Sequence, residues 1–189
     1  MEKCLIIFDL DGTLFQTNEA NYRAYKRALE LCGFTANINY VFFKDHCNGK
    51  SYKTFLPMII PDITDPEMEL VHKKKNEIYL HYLSYVRKNY HLFNLIQSMK
   101  TTSYIALVTT ASKENTWNIL NHFHVLEVFD LIVTQKDVEH HKPDPEGFIK
   151  AMQFFDVSPR NTLIFEDSDV GIKAAAASKA DYVRVYGYN

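Results

Sequence analysis

Long hydrophobic runs, cysteine and an excess of charge of either sign are all scarce in this sequence of 189 residues. The apolar runs are far shorter than the roughly 18 residues that a membrane-spanning helix needs, so we expect no association with a membrane. Lys and Arg number 21 against 23 Asp and Glu, which argues against a dedicated nucleic-acid binder. The first apolar stretch, Cys4–Phe8, is too short for a signal peptide.

The three cysteines, at positions 4, 32 and 47, form no CxxC pair and have no metal-ligand spacing. Such a sparse, odd set is typical of reduced thiols, so we expect a cytoplasmic protein. Aromatic residues make up 14% of the chain, which is far more than a disordered chain carries. The sequence therefore predicts a folded protein, and it leaves the oligomeric state open.

Short, continuous apolar runs recur along the chain and each one stops abruptly at a polar residue. They lie at residues 4–8, 104–108, 131–133, 163–165 and 182–186. Continuous runs of this length are typical of strands that are buried on both faces. Helical patterns separate the later runs, including one that begins near Asp144 and Pro145. The order predicts an α/β protein with a Rossmann-like parallel sheet.

Residues 16–89 break this alternation and follow a helical pattern. Thr17 or Asn18 opens a helix that ends at Gly33, and a long helix begins at Asp65. Residues 40–43 are a weak strand candidate, and the basic run at 72–75 is interpreted as a solvated helix face. We predict a Rossmann-like core of residues 1–15 and 90–189, with residues 16–89 inserted after the first strand as an all-helical segment.

Polar side chains follow three of the apolar runs. They are Asp9 and Asp11, Thr109 and Thr110, and Glu166 and Asp167. Lys142, just before a predicted helix, can reach the same rim. In an open parallel sheet, ligands bind beyond the carboxyl ends of the strands. Four carboxylates with room for water favour Mg²⁺, so we predict a magnesium site at this rim.

Each of these pieces has an ordinary structural explanation when it is taken alone. Asp-x-Asp-Gly is common in turns, and a calcium-binding loop is excluded because residues 13–15 continue with no series of ligands. Glu166, Asp167 and Ser168 are typical of a helix start, where acids interact favourably with the helix dipole. The functional hypothesis depends on the combination.

The combination resembles the haloacid dehalogenase superfamily, through four motifs in the same order. They are Phe-Asp-Leu-Asp-Gly-Thr at 8–13, Val-Thr-Thr at 108–110, His-Lys-Pro-Asp-Pro at 141–145, and Phe-Glu-Asp-Ser at 165–168 followed by Gly171. The third motif and the insertion are similar to those of the helical-cap subfamily, which includes β-phosphoglucomutase and phosphoglycolate phosphatase. The resemblance implies a Rossmann-like core with a helical cap.

The resemblance also implies catalytic roles. Asp9 is expected to be the nucleophile that forms an aspartyl-phosphate, and Asp11 the general acid and then the general base. Thr109, helped by Thr110, is expected to bind a phosphoryl oxygen. Lys142 is expected to neutralise negative charge on Asp9 and on the transferring group.

The metal ligands implied by the resemblance are the Asp9 carboxylate, the Asp11 backbone carbonyl and Asp167. Glu166 is expected to bind the ion directly or through water. These residues match the magnesium site that the strand ends predict.

An aspartate two residues after the nucleophile favours phosphate esters over haloacids, because a leaving alkoxide needs a proton and a halide does not. A phosphatase acting on a small phosphorylated metabolite is therefore the leading hypothesis. A sugar phosphomutase is the alternative, although Tyr52 replaces the arginine that such mutases carry three residues after a cap glycine, here Gly49. Lys50 or Lys53 is a candidate for binding a substrate anion. A catalytically silent relative that binds a phosphorylated ligand is the third hypothesis.

Overall fold

A computed structural model describes residues 3–47 and 50–187 of the chain. The chain divides into two compact units. The first, which we call the sheet unit, comprises Met1–Gln16 and Lys88–Asn189, and the second, the helical unit, comprises Thr17–Arg87.

The described strands match the apolar runs of the sequence, with two additional short strands where the chain passes from one unit to the other. The strands are β1 (Cys4–Phe8), β2 (Phe15–Gln16), β3 (Arg87–Lys88), β4 (Ser103–Val108), β5 (Leu131–Val133), β6 (Thr162–Glu166) and β7 (Asp181–Arg184). Five of them form a parallel sheet in the order β5-β4-β1-β6-β7. The predicted parallel α/β sheet is confirmed.

The strand order places β1 at the centre of the sheet, between β4 and β6. In the register of these strands, Ile7 lies opposite Ala106 on one side and Ile164 on the other. The chain first runs outward through β4 to β5 and then returns past β1 to β6 and β7. This reversal of direction at β1 creates the type of crevice in which open α/β sheets bind ligands, at the carboxyl end of β1.

Helices alternate with the strands of the sheet unit and make up most of the helical unit. The α-helices are α1 (Asn18–Leu31), α2 (Tyr40–Phe42), α3 (Tyr52–Ile59), α4 (Asp65–Ile78), α5 (Tyr90–Met99), α6 (Lys113–His122), α7 (Glu146–Phe155) and α8 (Asp169–Ala177). Helix α7 packs on β1, β4 and β5, and α8 packs on β6 and β7. Helix α7 begins at Glu146, two residues after Asp144, near which the sequence predicted its start. The side chain of Asp144 accepts the backbone N–H of Glu146 at 2.9 Å.

One buried cluster lies between the sheet and helices α7 and α8. It consists of side chains from alternate positions of the strands together with small and large residues of both helices, among them Leu5, Ile7, Ala106, Val108, Ile164, Phe148, Ala151, Ala174 and Ala175. Because alternate residues of a strand point to opposite faces, the intervening side chains of β1 lie on the other face and are also buried. Burial on both faces is the reason why the strands read as continuous apolar runs.

The helical unit has its own aromatic core, centred on Tyr25, Phe43 and Phe55. The Tyr25 and Phe55 rings meet edge to face with their centroids 4.9 Å apart. The weak strand candidate at 40–43 was wrong: Asn39 accepts the N–H of Phe42 at 2.8 Å and starts the short helix α2.

The interpretation of residues 72–75 as a solvated face was also wrong, because two of these residues point inward. Lys75 is only 4% exposed, and its Nζ lies 4.0 Å from the centroid of the Tyr79 ring. His72 is half-buried and stacks on Tyr52 with 4.1 Å between ring centroids. Aromatic partners stabilise a buried ammonium by cation–π attraction, which sequence polarity alone does not reveal.

Within the described residues, no helix combines the length and the apolar character that a membrane crossing requires.

Candidate active site

Three adjacent strands, β4, β1 and β6, end at the same edge of the sheet and bring distant polar residues together there. The backbone N–H of Asp9 donates to the carbonyl of Phe165 at 3.0 Å, so the residue after β1 is still held by β6. The rings of Phe8 and Phe165 stack with their centroids 4.8 Å apart, directly before Asp9 and Glu166 in the chain. This apolar pair forms a rigid base for the two carboxylates.

Lys142 lies at the centre of this group. Its Nζ donates to Asp9 Oδ1 and to Glu166 Oε1, both at 2.6 Å, and to the carbonyl of Val108 at 3.0 Å. The side chain of Lys142 is 7% exposed, that of Asp9 9% and that of Glu166 1%. All three protons of the ammonium are therefore used, and a buried charge of this kind has a fixed position.

Burial and charge oppose each other in this group. Burial raises the pKa of Asp9 well above its usual range, although Lys142 acts against this shift. Burial alone would lower the pKa of Lys142, but Asp9 and Glu166 outweigh it and raise that pKa, so the ammonium stays charged. Burial, helped by the charge of Glu166, also raises the pKa of Asp167 to about 6. The ionised forms of Asp9 and Asp167 are therefore disfavoured at this edge unless a positive charge besides Lys142 lies near them.

Glu166 is held from two sides. Its Oε1 accepts a hydrogen bond from Nζ of Lys142. Its Oε2 accepts hydrogen bonds from the backbone N–H of Ser168 at 2.9 Å and from the Ser168 hydroxyl at 3.0 Å. Gly171, in the first turn of α8, lies so close that a Cβ at this position would overlap the Glu166 carboxylate. Ser168 was not among the predicted site residues, although its place directly after the two acids could have suggested this contact.

The loop after β1 brings Asp11 and Gly12 to the same edge. Asp11 is half-buried and forms a backbone bridge with Phe15. Gly12 has a φ of +89°, which a side chain rarely adopts, and a Cβ there would also overlap the Asp167 carboxylate. Thr13 Oγ1 donates to Asp167 Oδ1 at 3.2 Å. The turn glycine thus allows the first and fourth motifs to approach each other.

Thr109 and Thr110 follow β4. The N–H of Thr109 donates to the carbonyl of Val133 at 2.9 Å, and its Oγ1 accepts the N–H of Ala111 at 3.0 Å. Thr109 is buried, whereas Thr110 is exposed. The Thr109 hydroxyl can still donate its own proton to a ligand, because its hydrogen bond to Ala111 uses only an oxygen lone pair.

The candidate anion-binding residues of the helical unit are far less constrained. Gly49 lies outside the described residues. Lys50 is exposed, and so is Lys53, whose Nζ lies 3.5 Å from Glu69 Oε1 on the surface of the unit.

Three acids of the edge lie close enough together to hold a metal ion. Asp9, Glu166 and Asp167 each offer a carboxylate oxygen, and these oxygens lie within 4.8 Å of one another. Three carboxylates around one ammonium leave two negative charges to be balanced, which suits a divalent ion. Hard oxygen ligands, few in number and partly exposed to water, fit Mg²⁺ better than Ca²⁺, which takes more protein ligands.

The sequence and fold of this chain match those of known proteins. A profile of the haloacid dehalogenase-like hydrolases matches residues 6–185. Pyrophosphatase PpaX of Bacillus cereus (strain Q1) is 29% identical to this chain over an alignment 190 positions long, which covers 92% of this chain and 82% of that protein.

Two solved structures are similar in fold. One is described as a predicted phosphoglycolate phosphatase of Haemophilus somnus 129PT, with a TM-score of 0.88, 21% identity and coverage of 100% of this chain and 88% of that one. The other is CbbY of Rhodobacter sphaeroides in complex with phosphate, with a TM-score of 0.84, 22% identity and coverage of 98% and 87%. The motifs, the fold and the match over residues 6–185 together show that this chain belongs to the haloacid dehalogenase-like hydrolases.

Proposed function

We propose that this protein is a Mg²⁺-dependent phosphatase that hydrolyses a small phosphorylated metabolite through a phosphoryl group carried on Asp9. The observation that carries the proposal is the ion pair of Asp9 with Lys142 at the carboxyl end of β1. Asp11 lies two residues further on, at a spacing suited to a second, proton-transferring acid. The names of the pyrophosphatase relative and of a structural neighbour support phosphate chemistry.

In the first step, a carboxylate oxygen of Asp9 attacks phosphorus, and the bond from phosphorus to the leaving oxygen breaks. Lys142 holds Oδ1 of Asp9 and so orients the nucleophile. Asp11, in its acid form, donates a proton to the leaving oxygen, which departs as an alcohol or a phosphate. Thr109 donates a hydrogen bond to a phosphoryl oxygen.

In the second step, water attacks the phosphoryl group on Asp9. Asp11, now a carboxylate, accepts a proton from that water, and the bond between phosphorus and the Asp9 oxygen breaks to release inorganic phosphate. Asp11 is thereby returned to its acid form and Asp9 to a carboxylate.

Asp9, the Asp11 carbonyl and Asp167 would hold the metal ion. When bound, Mg²⁺ supplies positive charge that balances the carboxylates and stabilises the charge of the transferring phosphoryl group. Glu166 places and neutralises the ammonium of Lys142, and it would also contribute to the metal site, directly or through water.

Hydrolysis is favoured over a mutase reaction by the position of Tyr52. This residue replaces the arginine expected to bind a second phosphate, and its ring stacks on His72 inside the helical unit. Neither ring carries the permanent positive charge of an arginine. Tyrosine has no cationic form, and burial lowers the pKa of His72 to about 4, so this histidine is neutral near pH 7. The role of residues 16–89 as a substrate-selecting cap stays a prediction.

The test is the release of inorganic phosphate from pyrophosphate, phosphoglycolate and a panel of sugar phosphates, with and without Mg²⁺. We expect metal-dependent release that Asp9→Asn lowers by about 10⁴-fold or more, the range seen when a nucleophile is removed. The matched control is Asp181→Asn, the same change at an exposed residue of β7. Undiminished release by Asp9→Asn would refute the nucleophile, and silence of the wild type across the panel would refute the phosphatase.

A further inference from the structure

The loop that carries Lys142 has little regular structure of its own. After a short 3₁₀ turn at Gln135–Asp137, the chain runs through residues 138–145 before α7 begins. Within this loop, Lys142 must keep its ammonium 2.6 Å from two carboxylates, one directly after β1 and one at the end of β6. A long side chain on an irregular loop loses rotamer freedom when it is held in this way, so the loop itself must be fixed by other contacts.

Glu146, the first residue of α7, supplies such contacts. Its carboxylate accepts the backbone N–H of Glu139 at 3.0 Å and that of His140 at 2.7 Å. It also lies 3.2 Å from Nδ1 of His140 and 2.8 Å from Nζ of Lys150, one turn along the helix. One carboxylate thus connects the beginning of the Lys142 loop to the residue at its end, where α7 starts. These hydrogen bonds hold the two ends of the loop together.

The charge of Glu146 suits this position. Hydrogen bonds from Lys150, Glu139 and His140 lower the pKa of Glu146 to about 2, so it is ionised throughout the physiological range. An ionised carboxylate accepts hydrogen bonds more strongly than a neutral amide does. A negative charge in the first turn of a helix is also favourable.

We propose that Glu146 is a positioning residue for the active site: its carboxylate holds the loop of residues 138–145 in the conformation that places Lys142 between Asp9 and Glu166. The consequence for turnover rests on the proposed phosphatase function. The consequence for the position of Lys142 does not, because it concerns the folded protein without substrate. The two can therefore be tested separately.

The first measurement is the rate at which an amine-acylating reagent modifies Lys142, followed by mass spectrometry in Glu146→Gln and in the wild type. Glutamine keeps the size of the side chain but loses its charge and one accepting oxygen. We expect Lys142 modification to rise about fivefold or more, because a loosened loop exposes the amine more often. The modification of exposed Lys50 and Lys53 in the same samples is the internal reference.

The second measurement is kcat and KM with the best substrate of the panel. We expect kcat of Glu146→Gln to fall by roughly ten- to a hundredfold with a much smaller change in KM, because small displacements of a charge-stabilising group affect the transition state most. Glu146→Asp, which keeps the charge on a shorter side chain, should recover part of the loss in kcat. If Glu146→Gln does not fold, Glu146→Asp replaces it in both measurements, with smaller expected effects of the same direction.

The matched control is Glu67→Gln. Glu67 is likewise a first-turn glutamate that accepts a backbone N–H, that of Thr64 at 2.8 Å, but it lies in the helical unit. We expect Glu67→Gln to lower the melting temperature without changing Lys142 modification or kcat. The proposal is overturned if Glu146→Gln behaves in the same way. If the wild type hydrolyses nothing, the proposed function fails while the modification experiment still decides the role of Glu146.

Discussion

Gly171 lies against the carboxylate of Glu166 with no room for a methyl group between them. This contact connects helix α8 to the acid that holds Lys142. Any side chain at this position would displace Glu166. The geometry of the active site therefore requires a glycine in the first turn of α8.

Gly171→Ala should therefore reduce stability, although alanine normally stabilises a helix interior by about 1 kcal/mol relative to glycine. Overpacking of a tight site costs about 1–3 kcal/mol, so the clash outweighs the helix propensity. We expect a lower melting temperature and a kcat reduced by about tenfold or more through displacement of Lys142. Gly33→Ala is the control: it strains a backbone at φ +84° but meets no atom within 4 Å, so it should lower stability without lowering kcat.

Asp11→Asn should slow turnover by about 10²- to 10⁴-fold, the usual effect of removing a general acid–base group. The loss should depend on the leaving group. With an aryl phosphate whose phenolate leaves without a proton, the initial burst of phenolate should be nearly normal and only the later hydrolysis slow. If Asp11→Asn slowed the phenolate burst from the aryl phosphate as much as it slowed the release of an alcohol from an alkyl phosphate, the general-acid role of Asp11 would be contradicted.

Mg²⁺ should raise the melting temperature of the metal-free protein, because an ion at one hundred times its dissociation constant stabilises the folded state by about 2.7 kcal/mol. Asp167→Asn removes a ligand and should abolish most of this shift. Asp169→Asn, at an exposed residue paired with Arg184, should leave the shift intact. Equal stabilisation of wild type and Asp167→Asn would show that the ion binds elsewhere.

The stability of the helical unit should fall as the pH is lowered from about 6.5 to about 4. Burial, with the nearby charge of Lys75, lowers the pKa of His72 to about 4. Between the two values the unfolded chain binds a proton that the folded unit does not, so stability decreases with decreasing pH. His72→Gln should flatten this part of the pH profile of thermal unfolding, whereas His46→Gln, at an exposed histidine of the same unit, should not.

Lys179→Gly should stabilise the protein by about 1 kcal/mol, because Lys179 has a φ of 65° that costs a residue with a Cβ but not a glycine. For a chain of this size the gain corresponds to a rise in melting temperature of about 2–4 °C. Asp156→Gly, at a φ of 54°, should gain less, since aspartate tolerates this conformation better. A decrease for Lys179→Gly would show that its side chain makes a stabilising contact.

The elements that sequence reasoning identified correctly are those whose signal is local. Strand β1 was recognised because burial on both faces makes Cys4–Phe8 a continuous apolar run. Helix α1 was recognised from its start near Thr17 and its end at Gly33, where φ is +84°. The errors at Tyr40 and Lys75 arose where a contact with another residue decided the outcome, namely the Asn39 cap and the Tyr79 ring.

By itself, the sequence determined the α/β class, the order of the strands along the chain and the residues that follow them, because these depend on periodicity and on short motifs. The family resemblance already implied that Lys142 acts on Asp9, but only the tertiary structure showed that the same ammonium also binds Glu166 and the carbonyl of Val108. It alone assigned Ser168 and Gly171 to the Glu166 carboxylate and Glu146 to the Lys142 loop. The physical reason is that hydrogen bonds and close packing depend on ångström-scale distances between elements, which no local pattern of residues encodes.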